Sequence, residues 1–149
     1  MDVIFPFLLL ADDDKDDRLF FKEVVEELPF LSTLLTVNNG HQLMELLHQT
    51  TGNLPHILFL DLNMPGKTGF ECLVEIKGNS RLIHLPVVIY STSLDPVVAD
   101  ELFKHGAHYY LRKPGEFSTL KLLIHKAVML VLNAGNEKPP RHGFILKAD

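Results

Sequence analysis

Apolar runs that stop at a charge alternate along this chain with stretches whose apolar residues recur every three or four positions. Phe5 to Ala11 is the first run, and it breaks at Asp12-Asp13-Asp14-Lys15-Asp16-Asp17. From Asp17 to Leu28 the residues Leu19, Phe20, Val24 and Leu28 fall at helical spacing, with Asp16 or Asp17 as cap and Pro29 beyond the end. Leu34 to Val37 reads as a short strand, Asn38-Asn39-Gly40 as a turn, and Gln42 to His48 as a helix. His56 to Leu60 is an unbroken apolar strand after its first residue, ending in Asp61 and a breaker-rich loop with Asn63, Pro65, Gly66 and Gly69. Helix follows from about Phe70 to Lys77, then a β-branched strand from Leu85 to Tyr90. Asp95-Pro96 opens a further helix, with a cap before a first-turn proline, and it stops at His105-Gly106. His108 to Arg112 is a fifth strand, and Phe117 to Leu132 is a long last helix.

Strand then helix, five times over, predicts a parallel sheet with helices on both faces, because right-handed crossovers lay each helix over the sheet. The expected class is α/β: a flavodoxin-like, doubly wound sheet of five parallel strands in the order 2-1-3-4-5, with five helices. Residues 1–133 form this domain, and 134–149 are a tail without a domain of its own. The last helix is apolar nearly all round, from Leu120, Leu122, Leu123 and Ile124 through Ala127 to Leu132. Such a helix is normally covered on two sides. The expected cover is the tail, which carries Phe144-Ile145-Leu146, or a second copy in a homodimer through the fourth helix, fifth strand and fifth helix.

Composition narrows the class. The 149 residues are 46% hydrophobic and 22% charged, enough for one sizeable core. A net charge of −5 with scattered lysines and arginines argues against direct DNA or RNA binding. The single cysteine, Cys72, excludes an internal disulfide and fits a reducing compartment. MDVIFPFLLL is too short and too uncharged for a signal peptide, and no apolar run approaches the ~20 residues of a bilayer span. A cytoplasmic protein without a membrane partner is the expectation.

In the predicted topology the ends of strands one, three, four and five meet at one rim. The residues there are Asp12 and Asp13, Asp61, Ser91 and Lys113. Converging carboxylates repel and raise one another's pKa. A hard divalent cation with oxygen ligands relieves this, and Mg2+ binds through few carboxylates while keeping several waters. Lysine and hydroxyl donors suit a phosphoryl group, and an aspartate can itself be the nucleophile toward phosphorus. Singly, each residue has an ordinary reading: a loop-capping aspartate, a turn serine, a solvated lysine. Asp12, Asp14, Asp16 and Glu23 also mimic a calcium loop, but Asp17 stands where that loop needs glycine.

The motifs LLLADDD, LFLDLNMPGKTGF, PVVIYSTS and HYYLRKP, in this order and spacing, resemble those of response-regulator receiver domains over residues 5–133. The resemblance implies that Asp61 is the phosphorylated aspartate and that Asp12 and Asp13 hold Mg2+, with the backbone carbonyl of Asn63 as third protein ligand. It makes Ser91 the switch hydroxyl, Lys113 the phosphate-pairing lysine and Lys113–Pro114 a cis bond. Tyr110 takes the aromatic position that turns inward on activation. The implied function is a stand-alone, non-enzymatic response regulator. It is phosphorylated by a sensor histidine kinase or phosphotransfer protein and signals through the face of helix four, strand five and helix five. The tail resembles that of regulators found beside bacterial phytochromes. The competing readings are a small Mg2+-dependent aspartyl-phosphate phosphatase and a receiver-like scaffold that works without phosphorylation. Against the first, Asn63 stands where such phosphatases carry a second aspartate. Against the second, every member of the Asp12, Asp13, Asp61, Ser91, Lys113 set is present.

Overall fold

A computed structural model of the chain describes residues 5–134 and 137–148. Met1–Ile4, the start of the stretch weighed as a signal peptide, lie outside the described residues. The elements alternate as β1 (Phe7–Ala11), α1 (Lys15–Glu26), β2 (Thr33–Val37), α2 (Gly40–Gln49), β3 (Ile57–Leu60), α3 (Gly69–Lys77), β4 (Val87–Ser91), α4 (Pro96–Lys104), β5 (Tyr109–Arg112) and α5 (Phe117–Ala134). The strands run parallel in the order β2-β1-β3-β4-β5. This is the flavodoxin-like sheet that the alternation predicts.

Strand side chains alternate between two cores. Leu9, Ala11, Leu58, Leu60, Val87 and Ile89 pack under α2, α3 and α4. Leu8, Leu10, Ile57, Phe59, Val88 and Tyr90 pack under α1 and α5. Both faces of β1, β3 and β4 are therefore buried, which is why their sequences read as unbroken apolar runs rather than as alternation.

Helix starts follow local capping chemistry, and here one expectation changes. Asp14, rather than Asp16 or Asp17, caps α1: its Oδ1 accepts the amides of Asp16 at 2.8 Å and Asp17 at 3.1 Å. Asp14 has the extended backbone that a cap needs (φ −89°, ψ 117°), so the helix begins earlier and Asp17 joins its first turn. Thr68 and Glu71 form a reciprocal capping box on α3, and Asp95 caps α4 ahead of Pro96.

Past α5 the chain folds back over the outer edge of the sheet. After a 3-10 turn at Arg141–Gly143, Ile145 pairs in parallel with Tyr110. The Tyr110 amide donates to the Phe144 carbonyl, and the Leu146 amide donates to the Tyr110 carbonyl, both at 2.9 Å. Phe144 is fully buried, edge-on to Phe103 of α4 with ring centroids 5.3 Å apart. Leu146 is buried in the same cluster as Leu123, Ala127 and Val131 of α5. The tail thus satisfies an edge that would otherwise present unpaired backbone groups. It is also one of the two covers expected for α5. By length and hydropathy alone α5 would qualify as a membrane span. Its buried Leu120, Leu123, Ile124, Ala127, Val128 and Val131 face the sheet and α1, as in the core helix of a globular domain.

Candidate functional site

Strand register builds the site. Ala11 lies opposite Leu60 in the β1–β3 ladder, and the Asp61 amide continues that ladder to the Ala11 carbonyl at 3.0 Å. The next residues outward, Asp12 and Asp61, therefore leave the sheet side by side. On the other side Ser91 lies opposite Arg112, and the Lys113 amide donates to the Ser91 carbonyl at 2.7 Å. The carboxyl ends of four strands deliver Asp12, Asp13, Asp61, Ser91 and Lys113 to one rim, while Tyr110 lies within β5.

One oxygen from each of Asp12, Asp13 and Asp61 lies within 4.8 Å of the others. Asp12 and Asp61 are buried, whereas Asp13 is exposed at the mouth. Backbone donors steady the two buried carboxylates: the Asp14 amide gives 2.9 Å to Asp12 Oδ1, and the Asn63 amide gives 3.3 Å to Asp61 Oδ1. Arg18 reaches back to the Asp12 carbonyl at 2.8 Å, tying α1 to the end of β1. A set of hard oxygens, two walled in and one open to water, suits a small divalent cation that retains part of its hydration.

The Lys113 ammonium lies in the middle of this charge. Its Nζ is 2.8 Å from Asp12 Oδ2, 2.8 Å from Asp17 Oδ2 and 3.6 Å from Asp61 Oδ2. It also stands 4.9 Å from the centroid of the Tyr90 ring. Burial pulls the Lys113 pKa down, but the hydrogen bonds to Asp12 and Asp17 and the charges of Asp61 and Asp12 outweigh it and hold the group above its ordinary range. Asp61 is pushed up from 3.8 to about 6, mainly by burial, with Lys113 opposing and the Asp12 charge adding to the rise. A carboxylate with a high pKa, close to a cation it does not directly bond, is a basic oxygen ready for an electrophile.

Ser91 is fully buried at the end of β4; its Oγ is 3.5 Å from Ser93 Oγ and 3.4 Å from the Ser93 amide. Tyr110 is buried as well, and its hydroxyl donates to the Ser93 carbonyl. Burial raises the Tyr110 phenol pKa, partly offset by hydrogen bonds with Ser91 and Ser93. The aromatic ring expected to turn inward on activation is thus already inside. The cis expectation for Lys113–Pro114 fails, since no cis peptide occurs among the described residues. Trans is the form an X–Pro bond prefers by about 0.5–1 kcal/mol. The lysine reaches its carboxylates from it.

Three contributors escaped the sequence reading. Asp17 reads in the sequence only as a helix-cap candidate, yet it bonds Lys113; its place four residues after Asp13 is the available signal. Tyr90 read as a plain strand residue and proves to floor the lysine. Gly69 read as a breaker, but a Cβ there would meet the Asp61 carbonyl oxygen at 2.2 Å, so α3 can start against the site only with glycine.

The sequence matches the family model described as "Response regulator receiver domain" over residues 8–125. Among curated proteins it is similar to the response regulator Rcp1 of the cyanobacterium Synechocystis, 36% identical over 112 residues that cover 71% of this chain and 75% of Rcp1. It is also similar to the two-component response regulator ARR17 of Arabidopsis thaliana, 32% identical over 119 residues, covering 72% and 78%. Among solved structures, the phosphorylated cyanobacterial phytochrome response regulator RcpA superposes with a TM-score of 0.78 at 27% identity, covering 87% of this chain and 95% of RcpA. The Mn2+-bound form of Rcp1 superposes with a TM-score of 0.76 at 27% identity, covering 91% and 99%.

Proposed function

This chain belongs to the response regulator receiver domain family of two-component systems, and on that premise we propose that Asp61 accepts a phosphoryl group with the help of Mg2+. The observation that carries this reading is the convergence of Asp12, Asp13 and Asp61 oxygens within 4.8 Å, with the Lys113 ammonium 3.6 Å from Asp61. Asp12, Asp13, Asp61 and the carbonyl of Asn63 would hold the ion. When bound there, Mg2+ would supply charge neutralisation for the incoming phosphoryl oxygens. Asp61 forms the new O–P bond while the bond from phosphorus to the donor's histidine nitrogen breaks, and the freed imidazole takes up a proton. Lys113 moves onto a phosphoryl oxygen, and Ser91 turns its hydroxyl toward another.

The phosphoryl group brings roughly −1.5 to −2 charge and three acceptor oxygens to a site that held one carboxylate. Ser91, Ser93 and the Tyr110 hydroxyl lie within one contact network, so a change at Ser91 reaches β5 and the start of α4. This is a two-state shift biased by a local charge event. The readout surface is the face of α4, β5 and α5, here including the tail. Receiver domains as a class work with histidine kinases or phosphotransfer proteins, and a histidine kinase or such a protein is the donor for this chain, acting in the cytoplasm. Phytochrome-linked relatives such as RcpA favour a photoreceptor kinase. The tail covers β5 and part of α5, while Leu122 and Met129 of α5 stay exposed for a homodimer through that face. Sedimentation with and without phosphorylation decides it.

Receiver domains are generally signalling proteins rather than enzymes, and Asn63 in the acid/base position supports that over a phosphatase. The test is intact mass after incubation with Mg2+ and acetyl phosphate. Wild type gains one phosphoryl group and Asp61→Asn gains none; equal gain by both removes the proposal, and sustained turnover of phosphate monoesters favours the phosphatase.

A further inference from the structure

Asp17 has no place among the converging metal-site oxygens, yet it makes one of the two shortest contacts to Lys113. We propose that Asp17, with the face of Tyr90 beneath, is a positioning site that draws the Lys113 ammonium away from Asp61 and so leaves that carboxylate free for metal and phosphorus. The inference rests on the reading of Asp61 as phosphoryl acceptor.

The geometry is one of competing acceptors. An ammonium has three N–H donors on a flexible stem. Two are engaged at 2.8 Å by Asp12 Oδ2 and Asp17 Oδ2, while Asp61 Oδ2 at 3.6 Å is beyond hydrogen-bond range. Asp17 is well placed to hold its share. Its amide is fixed by the Asp14 cap, and its side chain is only partly exposed, at 37%. Behind the ammonium, the Tyr90 ring offers its negative face, and Phe21 of the same helix braces that ring edge-on at 5.4 Å. α1 therefore supplies both the carboxylate that pulls the lysine and the phenylalanine that fixes its floor.

Remove the Asp17 charge and the released N–H turns to the nearest remaining acceptor, Asp61 Oδ2. A direct hydrogen bond there makes Asp61 a weaker metal ligand and a poorer nucleophile. Asp16 is the built-in control, because it carries the same charge in the same helical turn and makes no bond to Lys113. General loss of negative field predicts the same change from either residue; a positioning role predicts it from Asp17 alone.

The experiment measures Mg2+ affinity by calorimetry without phosphodonor, then the initial rate of phosphorylation by acetyl phosphate at saturating Mg2+. Asp17→Asn is expected to weaken Mg2+ binding roughly three- to tenfold and to slow phosphorylation by a similar factor. Asp16→Asn changes either by less than about twofold, and Asp17→Glu recovers most of the loss. Equal effects of Asp17→Asn and Asp16→Asn, or no rescue by glutamate, overturn the proposal. If wild type takes up no phosphoryl group, the functional reading fails, while the Mg2+ titrations of the two variants still decide whether Asp17 positions Lys113.

Discussion

Two stretches of β5 are held by opposite physics. Just beyond its carboxyl end, Lys113 sits among Asp12, Asp17 and Asp61, charges whose burial is tolerated only because they offset one another. Along its outer edge, Tyr110 is covered by Phe144–Leu146 through two backbone hydrogen bonds and a buried ring. The first region is easily rebalanced, since a proton, a metal ion or a phosphoryl group each changes its charge. The second changes only by letting go. A receiver needs both, one place where a small chemical event alters the energy and one packed surface where that alteration is read. The Tyr110 hydroxyl on the Ser93 carbonyl is the link between them.

Removing the central cation should separate the two regions most. Lys113→Ala leaves Asp12 and Asp61 buried without their partner, and breaking such a network costs about 3–5 kcal/mol. Denaturant unfolding in EDTA should show that loss, and Mg2+ should restore more stability to the variant than to wild type. If Mg2+ stabilises both equally, Lys113 and the metal do not share these carboxylates. On the other side, Phe144→Ala should cost about 3 kcal/mol, near the low end for a buried phenylalanine because the tail can lift away. Its Mg2+ affinity should stay within about twofold of wild type; a larger change means that the tail reaches the rim energetically even at rest.

The acidity of Asp61 supplies a smaller effect. With its pKa near 6 in the metal-free protein, Mg2+ must displace a proton below that pH. Affinity should then fall by up to about tenfold per pH unit, roughly 1.4 kcal/mol, and level off above pH 7. The stability contribution has the opposite sense. Since the folded value lies above 3.8, protonated Asp61 favours the metal-free fold below about pH 4, and this is lost as pH rises through about 6. A flat Mg2+ affinity from pH 5 to 8 contradicts the raised value. Last, Arg141→Ala removes the 2.7 Å pair with Asp100, whose partners are 39% and 54% exposed. It should cost no more than about 0.5 kcal/mol. A greater loss by thermal unfolding would mean that charge, as well as apolar packing, docks the tail.

How far each region could be read in advance follows from the same contrast. Buried parallel strands end where a polar residue becomes affordable, so Asp12, Asp61, Ser91 and Lys113 mark their strand ends in the sequence itself. Which aspartate does what inside the run 12–17 was not legible. Capping depends on backbone angles and lysine bonding on helix phase, and six consecutive polar residues leave both open. The tail announced that it needed burial through Phe144-Ile145-Leu146, but three residues are too few to specify a strand pairing or its register. Likewise the inward Tyr110 and the trans Lys113–Pro114 bond are choices between near-equal local states, settled by tertiary contacts rather than by residue type.

The most direct test maps the phosphoryl group itself. After reaction with acetyl phosphate and Mg2+, borohydride reduction and peptide mass mapping should place the modification at Asp61 alone, with none in EDTA. Label on Asp12 or Asp13, or equal label without Mg2+, would contradict a metal-assisted acceptor at the end of β3.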